Sequence, residues 1–168
     1  MKDLYLIDAY NVIFWEPEVF PRTELETSRK KLLDLLQDYG AHNDVEIIVV
    51  FDGQGQGNQV KETVLAPFFK EVFTPAHMTA DSYIEKESYR RREEYRSIYV
   101  VSSDGPVQNQ ILGNGAYRMA VADLMRVLSE DKREQHTFIR RNNTGNLRSE
   151  IGRNLPDEVR KKLEALRK

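Results

Sequence analysis

Three apolar segments of the chain end in an aspartate. They read LID, VVFD and VVSSD, and they end at Asp8, Asp52 and Asp104. Short runs of aliphatic and β-branched residues are typical of buried parallel strands. Because parallel strands bring their carboxyl ends to one edge of a sheet, where open α/β folds bind ligands, we expect these carboxylates to cluster.

A fourth carboxylate, Asp81, lies in the sequence Thr79-Ala80-Asp81-Ser82, in the first turn of a predicted helix. There it either complements the helix dipole or, if the helix begins beside the same sheet edge, joins the cluster. Asn11, three residues after Asp8, either orients that carboxylate or caps the following turn.

Clustered carboxylates repel one another, and a bound cation is the simplest compensation. The chain contains no cysteine and only three histidines, which lie far apart in the sequence. This composition excludes thiol chemistry and disfavours a zinc site. The expected cofactor is therefore Mg²⁺ or Mn²⁺.

The elements that must position these residues alternate between strand and helix. Strands are predicted at residues 4–7, 45–51, 68–74 and 98–102, and helices at 23–39, 80–96, 106–112 and 120–130. Thr23 and Glu26 form a candidate capping box, Gly40 a candidate helix end, and Thr79 a candidate N-cap. The alternation predicts a mainly parallel sheet with helices on both faces.

Length and composition fit one domain of 168 residues, with 40% hydrophobic and 31% charged residues. No apolar stretch approaches the ~18 residues of a membrane span, and no signal-peptide core follows Met1. We therefore expect a soluble, cytoplasmic protein without a membrane partner.

Charge is unevenly distributed along the chain. Residues 1–131 carry 14 basic and 22 acidic side chains, a net charge of −8, whereas residues 132–168 carry 11 and 5, a net charge of +6. Residues 140–154 are polar and rich in turn-forming residues. The basic tail suits binding to a polyanion, although a solvated charged helix would show the same composition.

Several enzyme classes lack their signatures here. The loop GQGQG at residues 53–57 is followed by Asn58 where a dinucleotide-binding motif needs glycine, and Tyr10 stands where a haloacid-dehalogenase phosphatase needs a second aspartate. Hydrolysis of a phosphodiester by metal-activated water fits the carboxylates and the basic tail.

Four motifs, in order and in register, carry a resemblance to a known family. LIDAYNVI, VVFDG, TADSYIE and VVSSDGPVQ resemble the YacP-like NYN domain ribonucleases of the wider PIN-like nuclease group, and GAYRMAVADLMRVL is similar to the family's helix after the last acidic motif. The resemblance implies a three-layer α/β/α sandwich, an acidic centre that binds Mg²⁺ or Mn²⁺, and endonucleolytic cleavage of RNA. It also implies association with ribosomes and with mRNA turnover.

Residue by residue, the resemblance makes Asp8, Asp81 and Asp104 the catalytic and metal-binding positions. It makes Asn11, Asp52 and Ser103 accessory positions. The candidate residues for contacts to RNA phosphates are instead chosen from the distribution of basic side chains along the chain. They are Arg90, Arg91, Arg92, Arg140, Arg141, Arg148 and Arg153.

The predicted organisation is a nuclease domain at residues 1–139 and a basic extension at 140–168. Two alternatives to the endoribonuclease stay open. One is a noncatalytic module that binds RNA or the ribosome, which has no use for carboxylates facing phosphate. The other is a metal-dependent phosphatase for small substrates, which has no need of a basic tail.

Overall fold

The structure, a computed structural model, describes residues 1–53, 57–102, 113, 115–153 and 165, and of residues 143–153 it describes the backbone. The predicted helix at 106–112 lies outside these residues, as does most of the GQGQG loop.

In the part of the chain that the structure describes, six strands form one sheet in the order β3-β4-β2-β1-β5-β6. Neighbouring strands are parallel except β3 and β4, which are antiparallel. The strands are β1 (Asp3–Asp8), β2 (Glu46–Phe51), β3 (Lys61–Ala66), β4 (Phe69–Phe73), β5 (Ser97–Val101) and β6 (Tyr117–Met119). The strand β1, which ends in Asp8, and the strand β2, which Asp52 follows, are therefore adjacent. The strand β1 lies between β2 and β5.

Within the described residues, four α-helices and one short 3₁₀ turn accompany the sheet. They are α1 (Ala9–Trp15), the 3₁₀ turn (Arg22–Glu24), α2 (Leu25–Asn43), α3 (Ala80–Arg90) and α4 (Val121–Arg153).

Alternate residues of β1 face two separate cores. Tyr5 and Ile7 lie in the core that includes apolar residues of α1, α2 and the first turns of α4. Leu4 and Leu6 lie in the other core, with residues of α3. Because side chains alternate along a strand, this division places helices on both faces of the sheet. The predicted α/β/α sandwich with a mainly parallel sheet is confirmed.

Both predicted ends of α2 are wrong. Thr23 lies inside the 3₁₀ turn, and α2 begins after Glu24 without a side-chain cap. Gly40 lies within the helix, where an added Cβ would come within 2.9 Å of the Phe68 ring, so its small size serves close packing. The helix ends at Asn43, and the following residue Asp44 caps it with a φ of 54°, in the left-handed region.

The helix α3 begins as predicted, because Thr79 accepts a hydrogen bond from the Ser82 backbone N–H at 3.1 Å. It ends at Arg90 and not at residue 96. The following residues turn, and the Arg96 backbone N–H then donates to the Lys2 carbonyl at 2.9 Å. Sheet pairing beside β1 therefore replaces the last predicted helical turns.

The sequence reasoning missed the strands β3 and β6 and the helix α1. The strand β3 is an almost fully exposed edge strand, so it lacks the apolar alternation that reveals a buried strand. The strand β6 lies inside the segment that was expected to be helical. The turn-rich prediction for residues 140–154 is also wrong, because α4 runs through Arg153.

The chain divides into two compact units, Met1–Leu128 and Ser129–Lys168. The predicted domain boundary at residue 139 stays a prediction. None of the helices in the described part of the chain combines the length and the apolar character that a membrane span requires.

Candidate active site

The candidate site begins with Asp8, the last residue of β1 and the N-cap of α1. The apolar residues before it make a buried central strand, so its side chain is only 7% exposed. Asn11, one turn into α1, donates from its amide Nδ2 to Asp8 Oδ2 at 2.9 Å and from its backbone N–H to Asp8 Oδ1 at 3.4 Å. The amide bond orients the carboxylate, as one of the two alternatives for Asn11 predicted, whereas the helix cap is Asp8 itself and not Asn11.

The carboxylates of Asp81 and Asp52 both act on Asp8. Burial is the main cause that raises the pKa of Asp8 to about 6. The backbone hydrogen bond from Asn11 opposes this shift, whereas the charges of Asp81 and Asp52 and a side-chain hydrogen bond with Asp81 add to it. The structure therefore brings three of the four predicted aspartates together.

Asp52 is held at the sheet edge by the backbone that follows it. The backbone N–H of Gly53 donates to Thr74 Oγ1 at 3.0 Å, and a Cβ added at Gly53 would lie 1.5 Å from the Thr74 carbonyl oxygen. Only glycine allows this close approach of the ends of β2 and β4. The glycine of VVFDG thus positions the exposed aspartate beside it.

Two predicted site residues, Ser103 and Asp104, lie outside the described residues. The chain before them is described: β5 ends at Val101 beside β1, and Ser102 is buried. The proposed roles of Ser103 and Asp104 stay predictions.

A bound metal fits the residues that are described. Within the ranges given above, no group of three or more acidic or histidine side chains is arranged to hold an ion. Magnesium, however, keeps several waters and is commonly bound by one or two carboxylates together with substrate phosphates. Asp8 and Asp81 match that donor set, and a cation would offset the repulsion by Asp81 and Asp52 that adds to the raised pKa of Asp8.

The arginines at the end of α3 have partners within the helix. Arg90 and Arg91 donate to the buried carboxylate of Glu87 at 2.8 Å and 2.7 Å. Burial alone would raise the pKa of Glu87, but the hydrogen bonds and charges of the two arginines outweigh it, so the pKa is lowered. Arg92 lies over the Tyr89 ring, 4.1 Å from its centroid. The predicted RNA contacts of the three arginines stay predictions, and Arg90 and Arg91 also have a structural role.

In the second unit, Arg140 and Arg141 are exposed on α4. Arg140 shares a shallow depression with Arg133 and His136. For Arg148 and Arg153 the structure describes the backbone but not the side chains.

Sequence reasoning missed two basic residues that share a cavity with Asp81. A cavity of about 800 Å³ is lined by Asp81 together with Lys86 and Arg118. Arg118 stands in the GAYRMAV segment, so a signal was present, but it was interpreted as helix and not as the strand β6.

Comparison with known proteins agrees with this architecture. The fold is of the nuclease-like NYN type, with aspartates where its parallel strands end. The chain belongs to the YacP-like NYN domain family, which it matches over residues 5–168.

The chain is similar to the protein YacP of Bacillus subtilis, which is also called Rae1. The chain is 28% identical to the uncharacterized protein YacP of strain 168, over 99% of this chain and 97% of that protein. It is also similar to the crystal structure of Rae1 (YacP), with a TM-score of 0.68, 26% identity and coverage of 99% and 95% of the two chains. The structure of a tryptophan-to-leucine variant of Rae1 matches with the same TM-score, at 25% identity over 98% and 99% of the chains.

The raised pKa of Asp8 predicts how stability depends on pH without divalent cations. The folded chain holds this proton up to about pH 6, whereas an unfolded aspartate loses it near pH ~3.9. The stabilisation is therefore fully present below about pH 4 and is lost as the pH rises through about 6. Relative to wild type, Asp8→Asn should gain on the order of 2 to 3 kcal/mol in unfolding free energy between pH 4 and pH 8.

Urea unfolding in EDTA at the two pH values measures this difference. Asp34→Asn, on the exposed face of α2, is the matched control and should leave the pH dependence unchanged. If the unfolding free energies of Asp8→Asn and wild type depend on pH in the same way, the pKa of Asp8 is not raised in the folded chain.

Proposed function

We propose that the protein is a divalent-metal-dependent endoribonuclease that cleaves single-stranded or messenger RNA. The observation that carries the proposal is the buried carboxylate of Asp8 at the end of the central strand β1, oriented by Asn11 and subject to the negative charges of Asp81 and Asp52. Family membership supports a nuclease-like role, and the carboxylate cluster supports metal-assisted hydrolysis.

Asp8 and Asp81 are the proposed ligands of Mg²⁺ or Mn²⁺, with Asp104 as the third. When bound, the cation supplies charge for the phosphate and lowers the pKa of a water molecule. Asn11 keeps the Asp8 carboxylate in one orientation through its amide donor. Asp52 adds negative charge from β2, and Ser103 is proposed as an accessory polar group.

The geometry favours an enzyme over a noncatalytic RNA-binding module. Burial of a carboxylate beside two others costs folding free energy at neutral pH, and it repels a phosphate. A pure RNA binder would gain nothing from this arrangement, whereas a metal-dependent hydrolase requires it.

Cleavage of end-labelled single-stranded RNA with Mn²⁺ or Mg²⁺ tests the proposal. Asp81 is exposed, so Asp81→Asn should leave folding intact while it removes a ligand. We expect the cleavage rate to fall at least about 100-fold, with little change in RNA affinity. Glu26→Gln is a matched control because Glu26 is likewise an exposed acid in a first helical turn, that of α2.

Internal cuts by wild type that Asp81→Asn loses and Glu26→Gln retains would support the endoribonuclease. Stable RNA complexes without any cut would favour the binding module, and release of phosphate from small esters without internal cuts would favour the phosphatase. Wild-type cleavage by Asp81→Asn would exclude Asp81 from the reaction centre.

The basic second unit supports a further part of the proposal, that the RNA is held on the ribosome during mRNA turnover. Arg140 and Arg141 lie exposed on α4, in a tail with a net charge of +6. A basic surface of this kind binds phosphate backbones irrespective of sequence.

Replacement of Arg140 and Arg141 by Gln should weaken binding to ribosomes and to free RNA at low salt. The slope of log affinity against log salt should fall by about 0.7 for each lost contact to a single strand. The double variant Lys2→Gln with Arg96→Gln is the matched control. It removes the same charge, but from residues in the first unit that pair with Asp44 and Asp3. An unchanged slope for the Arg140/Arg141 variant would make the tail a solvated helix.

A further inference from the structure

A cavity of about 800 Å³ opens beside Asp81 on the α3 face of the sheet. Its lining combines Asp81 and Glu85 with the basic residues Lys86 and Arg118, and it reaches the buried Ser102 after β5. A volume of this size is in the range of ligand sites in proteins. The cavity is therefore a candidate extension of the acidic site.

Arg118 reaches this cavity because of its register in the sheet. It pairs with Val100 across the parallel strands β5 and β6, and Val100 packs in the core beside α3. Residues paired across strands point to the same face. Arg118 therefore faces α3, the helix that carries Asp81 and Lys86.

The Nε atom of Arg118 is buried, and among the described residues it has no hydrogen-bond partner. A guanidinium stays charged at every physiological pH, so it cannot avoid this cost by losing a proton. An unsatisfied buried donor costs folding free energy, and it costs more when it is charged. An anion that enters the cavity compensates the charge of this guanidinium.

We propose that this cavity is a phosphate subsite for the RNA strand, with Arg118 and Lys86 as the groups that bind a phosphodiester next to the one cleaved at Asp8 and Asp81. The inference rests on the proposed nuclease function. The planar guanidinium donates to two phosphate oxygens, whereas the lysine ammonium contributes a point charge. The carboxylates of Asp81 and Glu85 at the same cavity disfavour an anion close to them, so the phosphate is assigned to the basic residues.

Binding of a short single-stranded RNA, measured by fluorescence anisotropy in EDTA over a range of KCl concentrations, tests the subsite without cleavage. Arg118→Gln and Lys86→Gln should each weaken binding, by at least about tenfold for Arg118, and should each reduce the salt slope by about 0.7. Arg118→Lys should keep the wild-type slope but lose part of the affinity, because it retains the charge without the planar donor pair.

The matched control is Arg96→Gln. Arg96 pairs with Asp3 at the amino end of the sheet, away from the strand ends that carry Asp8. Its replacement by Gln removes the same charge as the two test substitutions. Thermal unfolding of each variant checks the fold. Lys86 is exposed on α3, so Lys86→Gln decides the matter even if Arg118→Gln does not fold.

The outcomes separate this inference from the proposed function. If Lys86→Gln and Arg118→Gln match Arg96→Gln in affinity and slope, the subsite is overturned, whether or not wild type cleaves RNA. If both lower the affinity and slope, but wild type makes no cut with Mg²⁺ or Mn²⁺, the subsite stands and the endoribonuclease fails. If wild type does not bind RNA, the subsite fails as well.

Discussion

A buried carboxylate at the end of the central strand imposes the main constraint on this protein. Asp8 is nearly excluded from solvent and lies within the field of Asp81 and Asp52, so its charged form is disfavoured. The two hydrogen bonds from Asn11 offset only part of that cost. Without a cation, the site works against folding at neutral pH. A cation with a preference for oxygen ligands would reverse the sign of this contribution.

The basic groups around this constraint differ in what they can offer a substrate. Arg90 and Arg91 stabilise the buried Glu87, and Arg90 lies about 14 Å along the helix axis from Asp81. Arg118 instead lines the cavity next to Asp81 with a buried nitrogen that lacks a partner among the described residues. A negative centre with a basic flank is the arrangement that metal-assisted cleavage of a polyanion needs.

Much of the fold and part of the site could be predicted from the sequence because central parallel strands are continuous apolar runs with distinct ends. For this reason Asp8 and Asp52 could be placed at neighbouring strand ends, whereas for Asp81, in the first turn of α3, the sequence left a helix-dipole role open. The ends of α2 could not be predicted, because a left-handed Asp44 and close packing at Gly40 depend on tertiary contacts. The strand β6 has only three residues, too few to show the alternation of a strand. The place of Arg118 in the sheet could therefore not be predicted. Asp104 lies outside the described residues, so its place in the acidic site stays a prediction.

The central claim concerns the protonation of Asp8, and the most direct measurement is an NMR titration of its side-chain carboxyl carbon, assigned by its loss in Asp8→Asn. Without divalent cations the account predicts a midpoint at about pH 6. With saturating Mg²⁺ the midpoint should fall by at least about one unit, because the cation favours the charged carboxylate. A midpoint near ~3.9, the value of an unperturbed aspartate, that Mg²⁺ does not move would contradict the account.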